Sequence, residues 1–261
     1  MRARIKRQIV SVLVFCLAST PLVCMAQKPL VFTLMEYPPL SNSAVNGYGI
    51  APSIISAAFE KSKIEVRYKF YPPARAFSLA KSGKVTGTVG WVRSEERAQW
   101  FLFSDAYFEA PLVFFHLASI PFDWQDYDDL EGLRIGVTLK NYYGSKFHKA
   151  MDDGLLIVDQ TPTDVIQFDK LLYGRTDLFP LSYYVGYGFI RSRYDEDTAR
   201  RFTHHPKPLK ISKYRIMFPK GLKGSAQLAA KFNRGLSELK NEAAYDEIIQ
   251  KNIASFPKTW H

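Results

Sequence analysis

The feature that most constrains this chain is a regular alternation of short apolar runs with segments of helical periodicity. Residues 30–35, 64–71 and 85–92 are short apolar or alternating runs, which predict strands. Between them, apolar residues recur at helical spacing in residues 50–59 and 72–83. The order strand, helix, strand, helix, strand is typical of a mainly parallel sheet with helices on its faces.

The same alternation returns after an acidic, loop-like stretch at residues 120–131. A strand is predicted at residues 112–117, before this stretch. The predicted strands of the second unit, which begins at Leu133, are residues 133–137, 155–158 and 178–181, and its predicted helices are residues 143–151, 161–172 and a segment from 183 onward. A strand at 213–219 and helices at 226–239 and 243–253 are too few to form a domain, so they must pack on an earlier unit. We therefore predict two α/β units joined by two connecting segments.

Residues 1–26 have the pattern of a secretory signal. Four basic residues precede the apolar run at 9–18, and small residues near Cys24 and Ala26 suit cleavage. The run is shorter than the roughly 20 apolar residues that span a bilayer, and a retained membrane anchor is the alternative interpretation. Cleavage after Ala26 would remove Cys16 and Cys24, the two cysteines of the chain, and with them any disulfide, zinc-thiolate or cysteine-nucleophile chemistry.

The charge balance narrows the range of partners. The net charge of +10 falls to +6 without the four basic residues of the signal. Positive charge favours nucleic acid, an anionic membrane or an anionic ligand, and export argues against nucleic acid. The basic residues are scattered rather than clustered, as on a solvated surface. These observations therefore argue against nucleic acid as a partner and leave an anionic membrane or an anionic ligand open.

Four segments of the sequence resemble the periplasmic solute-binding proteins for polar amino acids, which form family 3 and have the type II periplasmic binding fold. They are residues 36–40 (EYPPL), residues 94–97 (SEER) with 103–108 (FSDAYF), residues 130–137 (LEGLRIGV), and residues 214–221 with 236–240 and 245–248. Their order and spacing match over nearly the whole chain after the signal. The second segment is the most specific of the four.

The resemblance implies an α/β fold of two lobes, each a mainly parallel sheet flanked by helices, joined by two hinge strands. Residues 27–113 and 212–261 would form lobe 1, and residues 114–211 would form lobe 2. The lobes would close on a ligand held in a cleft at the carboxyl ends of the strands.

Arg97, in the second segment, is the residue that the resemblance implies as the holder of a ligand carboxylate. A guanidinium is always charged and meets a carboxylate with two parallel hydrogen bonds. Ser94, three residues earlier, has the spacing of a cap on the helix that carries Arg97. The alternative is a plain surface ion pair between Arg97 and Glu96.

Five further residues are candidates for the ligand site. Tyr37 and Trp91 end predicted strands and would supply aromatic walls, unless both are core residues. Asn141 and Tyr142 lie where a strand of the second unit runs into a helix, and backbone N–H groups there can bind an anion. Arg75, near the start of a helix, would either face the cleft or be exposed.

Two departures from the family pattern leave an ammonium group of the ligand without its expected partners. The resemblance implies an acidic residue after the GRxD turn of the second lobe, but this chain follows GRTD at 174–177 with Ser182 at the matching position, which makes Ser182 a further candidate for a ligand contact. The family also has a hydroxyl residue just before the arginine motif, where residues 90–93 read GWVR. Because a buried ammonium without an acceptor is costly, another small carboxylate or an amine derivative fits as well as a standard amino acid.

The leading hypothesis is a non-enzymatic, monomeric binding protein that captures an amino acid or related small carboxylate. It would present this ligand to an ABC-type transporter or a sensor in the membrane, without nucleic acid, metal or cofactor. One alternative is a dehydratase-like lyase on the same fold, with Glu36 or Asp177 as the general acid. Another is a structural envelope protein that binds no ligand.

Overall fold

The computed structural model describes residues 28–139 and 141–254, so the signal predicted for residues 1–26 lies outside the described part. The strands are β1 (Leu30–Leu34), β2 (Val66–Phe70), β3 (Gly87–Val92), β4 (Phe101–Phe103), β5 (Phe108–Leu117), β6 (Arg134–Thr138), β7 (Ile157–Thr161), β8 (Phe179–Ser182), β9 (Phe202–His204) and β10 (Lys210–Pro219). The helices are α1 (Ile50–Glu60), α2 (Pro73–Lys81), α3 (Glu95–Trp100), α4 (Ser145–Asp152), α5 (Asp164–Leu172), α6 (Tyr183–Arg193), α7 (Glu196–Ala199), α8 (Ser225–Lys240) and α9 (Ala243–Ala254). None of these helices is long and apolar enough to cross a membrane.

The sheets have the mainly parallel halves and antiparallel connections that a two-lobed α/β fold requires. Strand β1 pairs in parallel with β2 and β3, and β6 pairs in parallel with β7. The long strands β5 and β10 pair antiparallel with each other. Strand β10 also pairs antiparallel with β3, and β5 also pairs antiparallel with β8. A parallel bridge from Ile135 to Leu178 links β6 to the residue before β8. The pair β5–β10 therefore connects one parallel set to the other.

Most of the predicted elements are confirmed, and the differences are local. The strand predicted at 155–158 runs instead from Ile157 to Thr161, because the chain turns through Gly154 in the left-handed region after α4 and first buries Leu156 in the core. The short elements β4, α7 and β9 were not predicted, since β4 and β9 depend on long-range pairing with β10 and β5.

Local sequence signals explain where the helices nearest the cleft begin. Helix α2 starts at a proline, whose missing N–H costs nothing in the first turn. At α3 the Ser94 hydroxyl accepts a hydrogen bond from the backbone N–H of Arg97 at 3.3 Å, as the spacing predicts. Helix α5 follows Thr163 and is ended by Gly174 at a φ of +63°. These caps fix the positions of the side chains described below.

The core is built from aromatic side chains between helices and sheet. Phe59 on α1 contacts Phe32 of β1 and Phe232 of α8, with ring centroids 5.8 and 5.4 Å apart. Helices α1 and α8 approach so closely that a Cβ on Gly235 would lie 2.0 Å from the carbonyl oxygen of Ala58. A separate hydrophobic cluster forms around Phe114 and includes apolar side chains of β6 and α4; its members lie between residues 112 and 209.

Candidate functional site

The site is a cavity of about 960 Å³ where the carboxyl ends of several strands converge. Trp91, Thr138 and Ser182 lie at the ends of β3, β6 and β8 and line it, and Tyr37 lines it three residues after β1. Ligands of open α/β sheets bind beyond the carboxyl ends of strands, and this volume suits a small molecule. The placement therefore matches the cleft expected from the sequence.

Arg97 lies inside this cavity rather than on the surface. Its residue is 9% exposed, and its Nη1 donates to the carbonyl oxygen of Val92 at 2.7 Å. Its guanidinium carbon lies 4.8 Å from the centroid of the Trp91 ring. Burial lowers the pKa of Arg97, and the charge of Glu96 opposes this shift. Because an arginine pKa starts above 12, the guanidinium remains a cation. The hydrogen bond to Val92 and the Trp91 ring hold it in place, which is not the arrangement of an exposed ion pair with Glu96.

Tyr37 and Trp91 both line the cavity and both pack against the core. The indole N–H of Trp91 donates to the Thr88 hydroxyl at 2.8 Å, and Phe77 meets the ring edge to face at 5.8 Å. Tyr37 meets Phe189 in the same way at 6.3 Å, and burial raises its pKa well above the usual value. Serving as a wall of the ligand site and packing in the core are therefore compatible for these two rings, since packing against the core fixes the faces that a ligand would meet.

Asn141 and Tyr142 line the cavity, but in a different way from a backbone anion site. The N–H of Asn141 already donates to the carbonyl oxygen of Thr138 at 3.1 Å, so Asn141 offers its side chain instead. The Tyr142 ring stacks on His148 at 5.2 Å, and the Nζ of Lys210 lies 4.5 Å from its centroid. Burial lowers the pKa of Lys210 to about 8, and the charge of Arg97 acts in the same direction.

Ser182 lines the cavity where the family pattern implies an acid. It is buried, and its hydroxyl makes no hydrogen bond of ordinary geometry within the described residues. It does lie near Tyr214: burial raises the pKa of Tyr214 to about 12, and the Ser182 hydroxyl opposes that rise. A neutral hydroxyl at this position cannot balance the charge of an ammonium group.

Arg75 does not line the cavity; of the two placements considered for it, cleft or exposed surface, the structure shows the exposed one. Its neighbours Ala74 and Phe77 take the cavity side of the first turns of α2, which leaves Arg75 exposed. Its guanidinium carbon lies 4.7 Å from the centroid of Tyr71. Consecutive helical residues point about 100° apart, so a helix that directs Ala74 into the cavity directs Arg75 away.

Asp164, the first residue of α5, is a cavity residue that the sequence did not indicate. It is 4% exposed, and its Oδ1 accepts hydrogen bonds from the Thr138 hydroxyl at 2.6 Å and the Asn141 amide at 3.3 Å. Burial raises its pKa to about 6, against the effect of those two donors. An aspartate at the first position of a helix is ordinarily exposed and favoured by the helix dipole, so the sequence gave no reason to single it out.

Two walls of the cavity therefore carry opposite charges. We call Trp91, Val92 and Arg97 the cationic wall, and Thr138, Asn141 and Asp164 the anionic wall. In the described part of the chain, Arg97 and Asp164 are the two buried residues with Asp, Glu, Lys or Arg side chains, and both line this cavity. The Tyr37 hydroxyl lies within the influence of both, since Asp164 raises its pKa and Arg97 lowers it.

The other acidic candidates are placed differently. Glu36 lines the cavity but is exposed, and its Oε2 accepts from the N–H of Ser43 at 3.1 Å. Asp177 does not line the cavity; it pairs with Arg134 through two side-chain hydrogen bonds of 2.7 and 3.0 Å, which hold its pKa below the usual value. No group of three His, Cys, Asp or Glu residues suited to a metal ion occurs among the residues described.

Comparison with known proteins places these features in a family. The sequence profile of bacterial extracellular solute-binding proteins, family 3, matches residues 30–255. No curated protein matches the sequence significantly.

Solved structures of similar shape share the two-lobed periplasmic-binding-protein fold. A histidine kinase sensor domain with similarity to periplasmic binding proteins is 22% identical, with a TM-score of 0.73 over 86% of this chain and 95% of that chain. An ancestral arginine-binding protein bound to arginine is 24% identical, with a TM-score of 0.70 over 85% and 96%. The arginine-, lysine-, histidine-binding protein ArtJ from Geobacillus stearothermophilus is 22% identical, with a TM-score of 0.68 over 88% and 97%. At these identities the likeness shows the fold.

Proposed function

Because this chain belongs to family 3 of the bacterial extracellular solute-binding proteins, we propose that it captures an amino acid or a related small carboxylate in the periplasm. The ligand would lie in the cavity between the two walls, with its carboxylate against Arg97. The chain would act as a monomer and release the molecule unchanged. The secretory pattern of residues 1–26 supports this location.

The observation that carries the proposal is the buried guanidinium of Arg97 at a cavity of small-molecule size. Taking a cation out of water costs free energy, and a ligand carboxylate would offset part of that cost through two charge-assisted hydrogen bonds. The hydrogen bond to Val92 and the stacking on Trp91 restrict the orientation of the guanidinium before any ligand arrives. Such preorganisation reduces the entropy lost on binding.

The rings around the cavity suggest what the rest of the ligand meets. Tyr37, Phe70, Phe77, Trp91 and Phe189 all line the cavity, beside aliphatic side chains. A ligand with an apolar or aromatic body would bury that surface at roughly 25 cal/mol per Å².

We further propose that residues 27–113 and 212–261 form one lobe and residues 114–211 the other, with β5 and β10 as hinge strands. The antiparallel pairing of Phe108–Leu112 with Lys210–Tyr214 lies at these boundaries. Ligand binding would favour the closed arrangement, since only there can both lobes contact the ligand. A closed shape is what an ABC-type permease or a membrane sensor would recognise, and the structural relatives include both an arginine-binding protein and a sensor domain.

A thermal-shift screen of amino acids and small carboxylates tests this function. A ligand present at 100 times its Kd stabilises a folded protein by about 2.7 kcal/mol. At least one compound should raise the Tm of the wild-type protein and of the exposed-arginine control Arg75→Ala, and it should have little effect on Arg97→Ala. Equal stabilisation of all three proteins would show that Arg97 is not the carboxylate site.

A second candidate is a lyase acting on a carboxylated ring compound. The observation that favours it is Asp164, whose pKa of about 6 would let it donate a proton near neutral pH. Asp177 is not suited to that role, because Arg134 keeps it ionised. Chromatography of the bound compound after long incubation distinguishes the two functions: a binding protein returns it intact, whereas a lyase returns a product.

A further inference from the structure

Asp164 is a buried anion for which the described residues provide no cation. No ion pair of the described residues includes it, whereas Asp159, Asp169 and Asp177 each pair with a lysine or arginine. Removing an ionised carboxylate from water without a partner is strongly unfavourable, which makes a buried, unpaired carboxylate in a cleft a candidate functional group.

The hydrogen bonds to Asp164 leave one of its oxygens available. The donors Thr138 and Asn141 both end on Oδ1, and within the described residues no hydrogen bond reaches Oδ2. Thr138 lies at the end of β6 and Asn141 follows it, so these two donors fix the carboxylate against the strand. A purely structural role accounts for Oδ1 but leaves Oδ2 unexplained.

The surroundings of Asp164 are rich in neutral oxygen atoms. Its charge raises the pKa of Tyr37, Tyr143 and Tyr214, and burial raises these pKa values further, so all three hydroxyls are neutral near physiological pH. All three residues line the same cavity. A hydroxyl oxygen accepts a hydrogen bond, so the cavity that Asp164 lines also offers neutral acceptors to an ammonium group.

We propose that Asp164, positioned by Thr138 and Asn141, is the subsite for a cationic nitrogen of the ligand. The ligand is then a zwitterion, with its carboxylate at Arg97 and its ammonium at Oδ2 of Asp164. Helix α5 supplies the negative charge, and Ser182 at the end of β8 does not. This inference rests on the proposed function and adds to it the charge pattern of the ligand.

The test compares zwitterions with analogues that lack only the amino group. Three pairs serve as probes: L-phenylalanine with 3-phenylpropanoate, L-leucine with 4-methylpentanoate, and L-glutamate with glutarate. Calorimetry measures the Kd of each for wild type, Asp164→Asn, Arg97→Ala and the control Arg75→Ala. The asparagine keeps the shape of the side chain and its acceptor oxygen for Thr138, so the change removes mainly the charge.

We expect at least one zwitterion to bind wild type about tenfold or more tightly than its analogue, as for a buried charge pair. In Asp164→Asn this preference should fall to about threefold or less, mainly through weaker binding of the zwitterion. Arg97→Ala should weaken both members of the pair.

Three results would overturn the inference, and they separate it from the proposed function. An unchanged preference in Asp164→Asn, or wild type that binds the analogue as tightly as the zwitterion, removes Asp164 as the subsite. If Arg97→Ala still abolishes binding in either case, the proposed function stands. If no probe binds wild type, both fail.

A pH series on wild type gives a second readout that does not depend on the folding of a variant. Asp164 must lose its proton to hold an ammonium, and with its pKa at about 6 only about a tenth of it is ionised at pH 5. The facing groups Tyr37, Tyr143 and Tyr214 stay neutral from pH 5 to 7.5 and Arg97 stays charged. Zwitterion affinity should therefore fall about tenfold from pH 7.5 to pH 5 relative to that of the analogue, and parallel curves would overturn the inference.

Discussion

The cationic and anionic walls of the cavity hold their buried charges in different ways. Arg97 is oriented by the carbonyl of Val92 and by the Trp91 ring, and its helix is capped by Ser94. Asp164 receives two neutral donors on one oxygen, and its pKa shifts toward the protonated form. Arginine keeps its charge when buried, whereas a carboxylate can take up a proton instead. The anionic wall is therefore the one whose charge depends on pH and on the ligand.

The largest expected effect comes from removing the charge of the cationic wall. Arg97→Ala should weaken the binding of any carboxylate ligand by a factor of about 30 to 5,000, because truncating one partner of a buried pair costs about 2–5 kcal/mol. Titration calorimetry at pH 7.5 measures this loss. A change below about threefold would break the comparison, since Arg97 would then be only a structural residue.

Removing the charge of the anionic wall should stabilise the ligand-free protein. The pKa of Asp164 is raised from 3.8 to about 6 on folding, so the folded state binds more protons and stability is lost as pH rises through this range. Asp164→Asn avoids that loss, which amounts to at most about 3 kcal/mol at pH 7.5. Urea unfolding should show the gain at pH 7.5 and little of it at pH 4. A variant that is less stable at pH 7.5 would contradict an unpaired anion at this position.

An acid that has a partner sharpens the contrast with Asp164. Asp177 pairs with Arg134, and its pKa is lowered by that hydrogen bond, so its contribution is present above pH 4 and lost as pH falls further. Because the pair is partly exposed, Asp177→Asn should cost only about 1 kcal/mol at pH 7. Chemical denaturation measures the cost, and ligand affinity should be unchanged. If Asp177→Asn were more stable than wild type, the pairing with Arg134 would not explain why Asp177 and Asp164 differ.

The smallest effect is expected at the exposed arginine. Arg75→Ala removes an exposed side chain that does not line the cavity, although it lies over the ring of Tyr71, which does. Stability should therefore change by about 0.5 kcal/mol or less, and ligand affinity by less than about threefold. Thermal unfolding with and without ligand checks both values. A tenfold loss of affinity would place Arg75 at the ligand after all.

Much of the fold was predictable because its signals are local. Proline before α2, Ser94 before α3 and Gly174 after α5 each act within a few residues, so the sequence alone located these helix ends. Strands β4 and β9 form only where β10 and β5 offer free edges far away in the sequence. Such pairings have no local pattern, which explains why these strands were not predicted.

The candidate site was predictable on one wall more than on the other. The SEER motif and the strand end at Trp91 predicted the cationic wall, and Arg97 and Trp91 both line the cavity. Asp164 looks in the sequence like any acid in a first helical turn, and only tertiary packing buries it. Arg75 shows the reverse case. Its position near a cleft strand made it a candidate in the sequence, but α2 turns its side chain to the exposed face.

The most direct measurement is a crystal structure of the protein with the tightest-binding zwitterion of the screen. We predict the carboxylate of that compound in a bidentate contact with the Arg97 guanidinium, and its nitrogen about 2.8 Å from Oδ2 of Asp164. A complex in which the nitrogen points to solvent or to Ser182, with Asp164 still bound only by Thr138 and Asn141, would contradict the account.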